Sequence, residues 1–208
     1  MQSDSRPAAE SNARWLIACA LSRETEALRL RLGNRHRYLT TGLGARKTQA
    51  TLEKTFGEAF PGCLLFTGTA GQLDPKTEIG EVVLPEEWCL EGGACHPVSR
   101  APIAFLRRQG GWEISERGLT VPRPVLRRKS RIALYLKSGA RVCDMESAAA
   151  VEVANRFGVG CLAPKVVSDT ADSGLSAFWT GFDGHMDVLA GYLKKLIACL
   201  GAADKLTG

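Results

Sequence analysis

The chain has no apolar run approaching the roughly 18 residues that a membrane-spanning helix needs. The run Trp15-Leu-Ile-Ala-Cys-Ala-Leu21 is seven residues long. The tail before it carries Asp4 and Glu10, which argues against an export signal. A cytoplasmic protein without a membrane partner is the expectation. None of the seven cysteines, at 19, 63, 89, 95, 143, 161 and 199, forms a Cys-x-x-Cys pair, so zinc-ribbon and dithiol redox sites are excluded. Cys19, Cys63, Cys143 and Cys161 sit in apolar patterns and read as buried thiols in a reducing compartment. Cys89, Cys95 and His96 offer three metal ligands without a fourth, so no metal is expected. The three histidines, His36, His96 and His185, are isolated from one another. Gly68-Thr-Ala-Gly71 lacks the Gly-x-Gly-x-x-Gly spacing of a dinucleotide fold. No internal repeat or low-complexity segment is present.

What is there is an ordinary globular composition. A length of 208 residues and 45% hydrophobic content suffice for one α/β domain with a sizeable core. The net charge of +5 is modest. Its basic residues concentrate at Arg107-Arg108 and between Arg123 and Arg131, without any nucleic-acid-binding motif. A solvated helix face is the expectation there, and no nucleic-acid partner. Residues 1–13 are polar and read as a disordered tail, leaving 14–208 as the folded domain. Apolar runs at Trp15–Leu21 and Gly62–Thr67 predict buried parallel strands. Ser22 reads as the cap of a helix with Leu28, Leu30 and Leu32 inward. His36–Thr40 is a second strand, and Thr41-Gly-Leu-Gly-Ala45 a glycine turn into a helix reaching about Phe56. Gly68–Gly71 is expected to close the Gly62–Thr67 strand. Ile79–Leu84 alternates as a strand, and 86–116 reads as loops and a hairpin. Leu119–Val121 suggests a short strand and Lys129–Lys137 a helix. Met186, Leu189, Leu193 and Leu196 fall in phase on a C-terminal helix over Gly184–Leu200. The alternation of β and α elements predicts one mostly parallel or mixed sheet flanked by helices.

The most specific stretch is Arg141-Val-Cys-Asp-Met-Glu-Ser-Ala-Ala-Ala-Val-Glu-Val-Ala-Asn-Arg-Phe-Gly158, followed by Val166-Val-Ser-Asp-Thr-Ala-Asp172. It reads as strand, helix Glu146–Phe157, and strand Cys161–Val167. Asp144, Glu146 and Asp169 then arrive at one sheet edge, where ligands bind in open α/β sheets. Glu146 at a helix N-terminus is favoured as the anion, and a carboxylate can accept both hydroxyls of a vicinal diol. Helix capping by Asp144 or Ser147 is the competing role.

These motifs closely resemble the nucleoside phosphorylase/nucleosidase superfamily, nearest to the methylthioadenosine/S-adenosylhomocysteine nucleosidase group. The resemblance covers about residues 14–200 and is poor over 86–125. It implies a single-domain nucleoside phosphorylase-like fold and N-glycosidic cleavage of a purine nucleoside or 5′-modified relative. It also implies a homodimer and no cofactor beyond phosphate as co-substrate in a phosphorylase. By the same resemblance Asp169 protonates the base, with Ser168 orienting it. Glu146 holds the ribose hydroxyls with Met145 beneath the sugar, and Glu24 activates water, with Glu26 as the alternative. Lys165 stands where the nucleosidases carry an arginine. Thr69, Ala70 and Gly71 offer groups for water or an oxyanion. Trp88, Phe178, Trp179 and Phe182 are candidates to stack on the base. Hydrolysis is preferred to phosphorolysis because Glu24 and Phe66 stand where many phosphorylases place phosphate-binding arginines. A nucleoside-binding protein without catalysis is the non-enzymatic alternative.

Overall fold

The run after Arg14 becomes β1 (Trp15–Cys19), buried at every residue, because it lies between two parallel partners. The computed structural model describes residues 15–59, 62–170, 172–173 and 179–204; the expected N-terminal tail lies outside them. After β1 come α1 (Ser22–Leu32), β2 (Arg37–Thr40) and α2 (Ala45–Glu58), then β3 (Cys63–Phe66), β4 (Gly68–Gln72), β5 (Val82–Leu90) and β6 (Cys95–Pro97). Next are α3 (Arg100–Gln109), β7 (Ile114–Thr120), α4 (Arg128–Ser138), β8 (Val142–Asp144) and α5 (Ser147–Arg156). The chain ends in β9 (Gly160–Leu162), β10 (Lys165–Asp169) and α6 (Phe182–Asp204).

Two sheets are present rather than one. A parallel sheet has the order β2-β1-β3-β9, and a mixed sheet the order β10-β4-β8-β7-β5-β6. A further antiparallel pairing of β10 with β5 closes five strands of the second sheet into a ring. Two neighbouring strands run from one sheet into the other. β3 passes through Thr67 into β4, so the expected closing turn at Gly68–Gly71 is instead a strand. β9 passes through Ala163-Pro164 into β10, which splits the expected Cys161–Val167 strand. Pro164 has no N–H to give a ladder, and its carbonyl accepts the Thr67 hydroxyl at 2.8 Å. The two switch points are thereby tied together.

The segment 86–116 is mostly regular, against expectation. Pro85 sits inside β5 because that edge changes partner there, from β10 at Val82 and Val83 to β6 at Glu87 through Cys89. A residue without an N–H is tolerated where the ladder is interrupted. Cys89 and Cys95 face each other across β5 and β6 and are joined as a disulfide. The reduced-thiol reading fits Cys19, Cys143 and Cys161, which are free and buried. Glu87, rather than His96, is the third potential ligand beside the Cys89–Cys95 pair.

Helix α1 begins at Ser22, so Leu21 holds the cap position. Leu28 is buried but Leu30 is exposed, because Ala27 and Leu28 carry the inward face. Along α6, Met186, Leu189, Leu193 and Leu196 are all buried, as their phasing requires. Among the described residues no helix is long and apolar enough to cross a membrane.

Trp88 is fully buried and lies across β7 at Gly118, its register partner. A Cβ on Gly118 would stand 2.7 Å from the indole. Overpacking of this kind costs about 1–3 kcal/mol. Gly118→Ala is therefore expected to lower Tm by several degrees in a thermal melt; an unchanged Tm would show that the indole moves aside freely.

Candidate active site

The strand switch delivers the ends of β4, β8 and β10 to one place. There they line a cavity of about 380 Å³ with Thr69, Ala70, Gly71, Asp144, Met145, Glu146, Ser168 and Asp169. Leu21, Leu43, Val121, Val125 and Leu126 supply apolar wall. Two larger hollows, of about 570 and 580 Å³, lie beside Arg127 and Arg107 and gather no such set of buried acids.

β8 ends in Asp144, which accepts from the Glu146 N–H at 3.2 Å, the Ser147 N–H at 3.1 Å and the Thr120 hydroxyl at 2.8 Å. Glu146 itself holds the cap position of α5, while Asp144 satisfies the first amides of that helix. This frees Glu146 to face the cavity. Its Oε1 accepts the Gly44 N–H at 2.7 Å and its Oε2 the Met145 N–H at 3.2 Å. Gly44 has φ 93°, a conformation that favours glycine. With about four acceptor positions on a carboxylate, two remain for a ligand's hydroxyls.

Glu24 is buried and accepts from the Thr69 N–H at 2.9 Å, the Thr69 hydroxyl at 2.8 Å and the Leu21 N–H at 3.3 Å. It sits behind Thr69, which lines the cavity, whereas Glu24 itself does not. Gly68 permits this approach, since a Cβ there would stand 2.8 Å from Oε2 of Glu24. Glu26 is exposed and paired with Arg29, which removes it as the alternative base.

One cation serves this acidic cluster. The Lys165 ammonium is buried 3.1 Å from Asp144 and 4.4 Å from the centre of the Phe66 ring. Burial pushes the Glu24 carboxyl up from the usual range, and Lys165 only partly opposes this. Burial, and then the charge of Asp144, raise Glu146 to about 7. The helix N-terminus therefore does not secure Glu146 as an anion, because desolvation and a neighbouring acid outweigh it.

Asp169 stands where the β10–β4 register slips, between Val167 and Asp169. Such irregularities re-aim side chains, and both Ser168 and Asp169 line the cavity. Ser168 donates to Oδ1 of Asp169 at 2.8 Å, the expected orienting contact. Oδ2 is taken by Arg131, whose guanidinium is buried against it. The solvated face expected for the basic cluster holds for Arg127, Arg128 and Lys129 but not for Arg131. Arg131 also donates to the carbonyls of Gln72 and Asp169 at 3.1 Å and of Val125 at 2.8 Å. Asp169 is thus held by a cation and not in the dry, unpaired pocket that the acid role presupposed. Nothing in the spacing of Arg123–Arg131 marks Arg131 as the inward residue.

The aromatic candidates divide. Trp179 is 59% exposed and stands at the cavity mouth. Trp88 and Phe182 are buried in the core and line no part of the cavity. Phe178 lies outside the described residues. His185 is buried, with Nδ1 unpartnered among the described residues, and it does not line the cavity.

The arrangement of sheets and helices is the fold of the nucleoside phosphorylases and nucleosidases. Residues 115–202 match the family model described as Phosphorylase superfamily. A Helicobacter pylori 5′-methylthioadenosine nucleosidase mutant with 5′-methylthioadenosine in its active site superposes with TM-score 0.79 at 15% identity, covering 89% of this chain and 98% of that one. Native H. pylori futalosine hydrolase gives TM-score 0.79 at 16% identity, over 90% and 98% of the two chains. A Neisseria meningitidis 5′-methylthioadenosine/S-adenosylhomocysteine nucleosidase, in complex with methylthio-immucillin-A, gives 0.76 at 16%, over 88% and 97%. No curated protein sequence matches the chain.

Because its folded-state pKa is raised, Glu146 binds a proton in the native protein that the unfolded chain has released between about pH 4.5 and 7. Stability from this group therefore falls as pH rises through that window. Glu146→Gln keeps an acceptor for Gly44 and removes the titration. It is expected to raise Tm relative to the parent at pH 8 and not at pH 5; equal shifts at both would show that Glu146 is not perturbed.

Proposed function

We propose that this chain hydrolyses the N-glycosidic bond of a purine nucleoside or a 5′-modified relative. The observation that carries the reading is the convergence of Glu146, Asp169 and the Glu24–Thr69 pair on one cavity. Glu146 accepts the ribose 2′- and 3′-hydroxyls, and Met145 packs beneath the sugar. Water that donates to Oγ1 of Thr69 attacks the anomeric carbon, and its proton passes to that oxygen as the Thr69 hydroxyl gives its own proton to Glu24. The C–N bond breaks as N7 of the base is protonated at Asp169; because that carboxylate is paired with Arg131, the proton is drawn from solvent through the cavity and not from a resting carboxylic acid. General acid and base steps each contribute about 10²–10⁴-fold.

Water rather than phosphate is supported by Glu24. It already occupies the Thr69 N–H and hydroxyl, the donors an oxyanion would need. Arg23, the nearest candidate in sequence for binding phosphate, instead packs 3.9 Å over the Phe182 ring. Phosphorolysis remains the alternative, and phosphate would then be co-substrate. We further propose a homodimer, for which the exposed Leu43, Leu126 and Trp179 around the cavity mouth offer apolar surface. A cytoplasmic site is supported by the buried free thiols of Cys19, Cys143 and Cys161, and the Cys89–Cys95 disulfide counts against it. The reading needs neither a metal nor a redox cofactor, and no nucleic-acid or membrane partner.

The test is release of free base from a nucleoside panel with and without phosphate. Phosphate-independent release is expected, and an absolute requirement for phosphate would overturn hydrolysis. Asp169→Asn should lower turnover by at least about 10². Because it leaves Arg131 unpaired, it should also lower Tm, so turnover is normalised to folded protein. Undiminished turnover would remove Asp169 from the chemistry. In the parent, kcat/KM for ribosides is expected to fall below about pH 7 as Glu146 protonates, and a flat profile down to pH 5 would contradict the diol role.

A further inference from the structure

Arg131 has five N–H donors. Four have partners: Nε on the Val125 carbonyl, Nη1 on the carbonyls of Gln72 and Asp169, and Nη2 on Oδ2 of Asp169. The fifth, on Nη2, has no partner among the described residues, although Arg131 is 4% exposed and lines the cavity beside Asp169. Gly71 makes the approach possible, because a Cβ there would meet Nη1 of Arg131 at 3.1 Å and Oδ2 of Asp169 at 3.3 Å.

The edge of a purine that carries N7 also carries the substituent at C6. A 6-oxo base presents two acceptors there, and a 6-amino base one acceptor and one donor. A carboxylate with a free oxygen beside N7 would accept from a 6-amino group. Here Oδ2 already accepts from the Arg131 guanidinium and Oδ1 from Ser168, so a 6-amino group would have to share an oxygen with one of them. What the pocket offers next to the N7 position is a buried guanidinium N–H, a donor that cannot become an acceptor.

We propose that Arg131 is the base-selecting residue and that the chain acts on purine ribosides with a carbonyl at C6 in preference to those with an amino group. The proposal rests on the nucleosidase reading above. It adds that the spare Nη2 donor meets O6, while a 6-amino group faces it donor to donor. Hydrogen bonds to charged groups carry about 10- to 100-fold in affinity.

The experiment uses the full chain and three ribosides identical in the sugar: inosine, adenosine and purine riboside, the last with hydrogen at C6. The set is repeated with 5′-methylthio sugars. Released base gives kcat/KM, and calorimetry with free hypoxanthine and adenine reads recognition without bond breaking. Expected is the order 6-oxo, unsubstituted, 6-amino in both series, with hypoxanthine binding at least about tenfold tighter than adenine. Arg131→Gln supplies a carbonyl as well as an amide N–H and should narrow the preference. Should that variant not fold, the parent series alone decides. Cleavage with equal or better use of adenosine, or equal binding of the two bases, would overturn the role of Arg131 and leave the hydrolase reading intact. No base released and neither base bound would remove the hydrolase reading, and this inference with it.

Discussion

The burial of a single ammonium group among three carboxylates governs the site. Lys165 bonds Asp144 and acts electrostatically on Glu24 and Glu146. One positive charge cannot neutralise three buried acids, so at least one of them is held toward its neutral form. Asp144 has the direct contact, the Thr120 hydroxyl and the α5 amides. Glu24 and Glu146 are left with raised affinities for protons, Glu146 to about 7. Unpaired charge in an interior costs several kcal/mol, so this balance also restricts which substitutions the site tolerates.

Topology assembles that cluster. β3–β4 and β9–β10 each cross from the parallel sheet into the ring of the mixed sheet, side by side, with Thr67 bonded to Pro164 at the crossing. Lys165 follows Pro164 directly, so the residue that begins β10 is fixed beneath the cavity. Gly68 begins β4 opposite Lys165, and its lack of a side chain admits Glu24. On the other side of β4 from β10, β8 ends in Asp144 and hands over to α5. The bend between sheets thus creates the hollow and delivers the charges into it.

Asp169 is governed by a different cation. Arg131 comes from α4, reaches past the Val125 carbonyl and closes on a carboxylate 38 residues further along the chain. Its four protein contacts fix the orientation of the guanidinium plane. A charge so held acts as a preorganised dipole in a site of low polarity. It bears both on the proton that Asp169 handles and on the face presented to the base.

Much of the site was legible because it is local. Asp144-Met145-Glu146 and Ser168-Asp169 each lie at a strand end, and alternation of apolar runs with helices placed those ends at one edge. The phasing of Met186, Leu189, Leu193 and Leu196 likewise needed no partner to be read. The failures were non-local. Gly68–Gly71 looked like a turn because its small residues pack against Glu24 and Arg131, neither of which is nearby in sequence. Pro85 looked like a strand end because only the change of partner at that edge makes it acceptable. Arg131 looked like one more solvated base within its cluster. The sequence by itself determined which residue types reach the strand ends, since hydrophobic periodicity and helix-start chemistry act over a few residues. Only the tertiary structure decided which cation neutralises which acid, and hence which carboxyls hold protons, because that balance depends on distance and desolvation between elements that the chain order keeps apart.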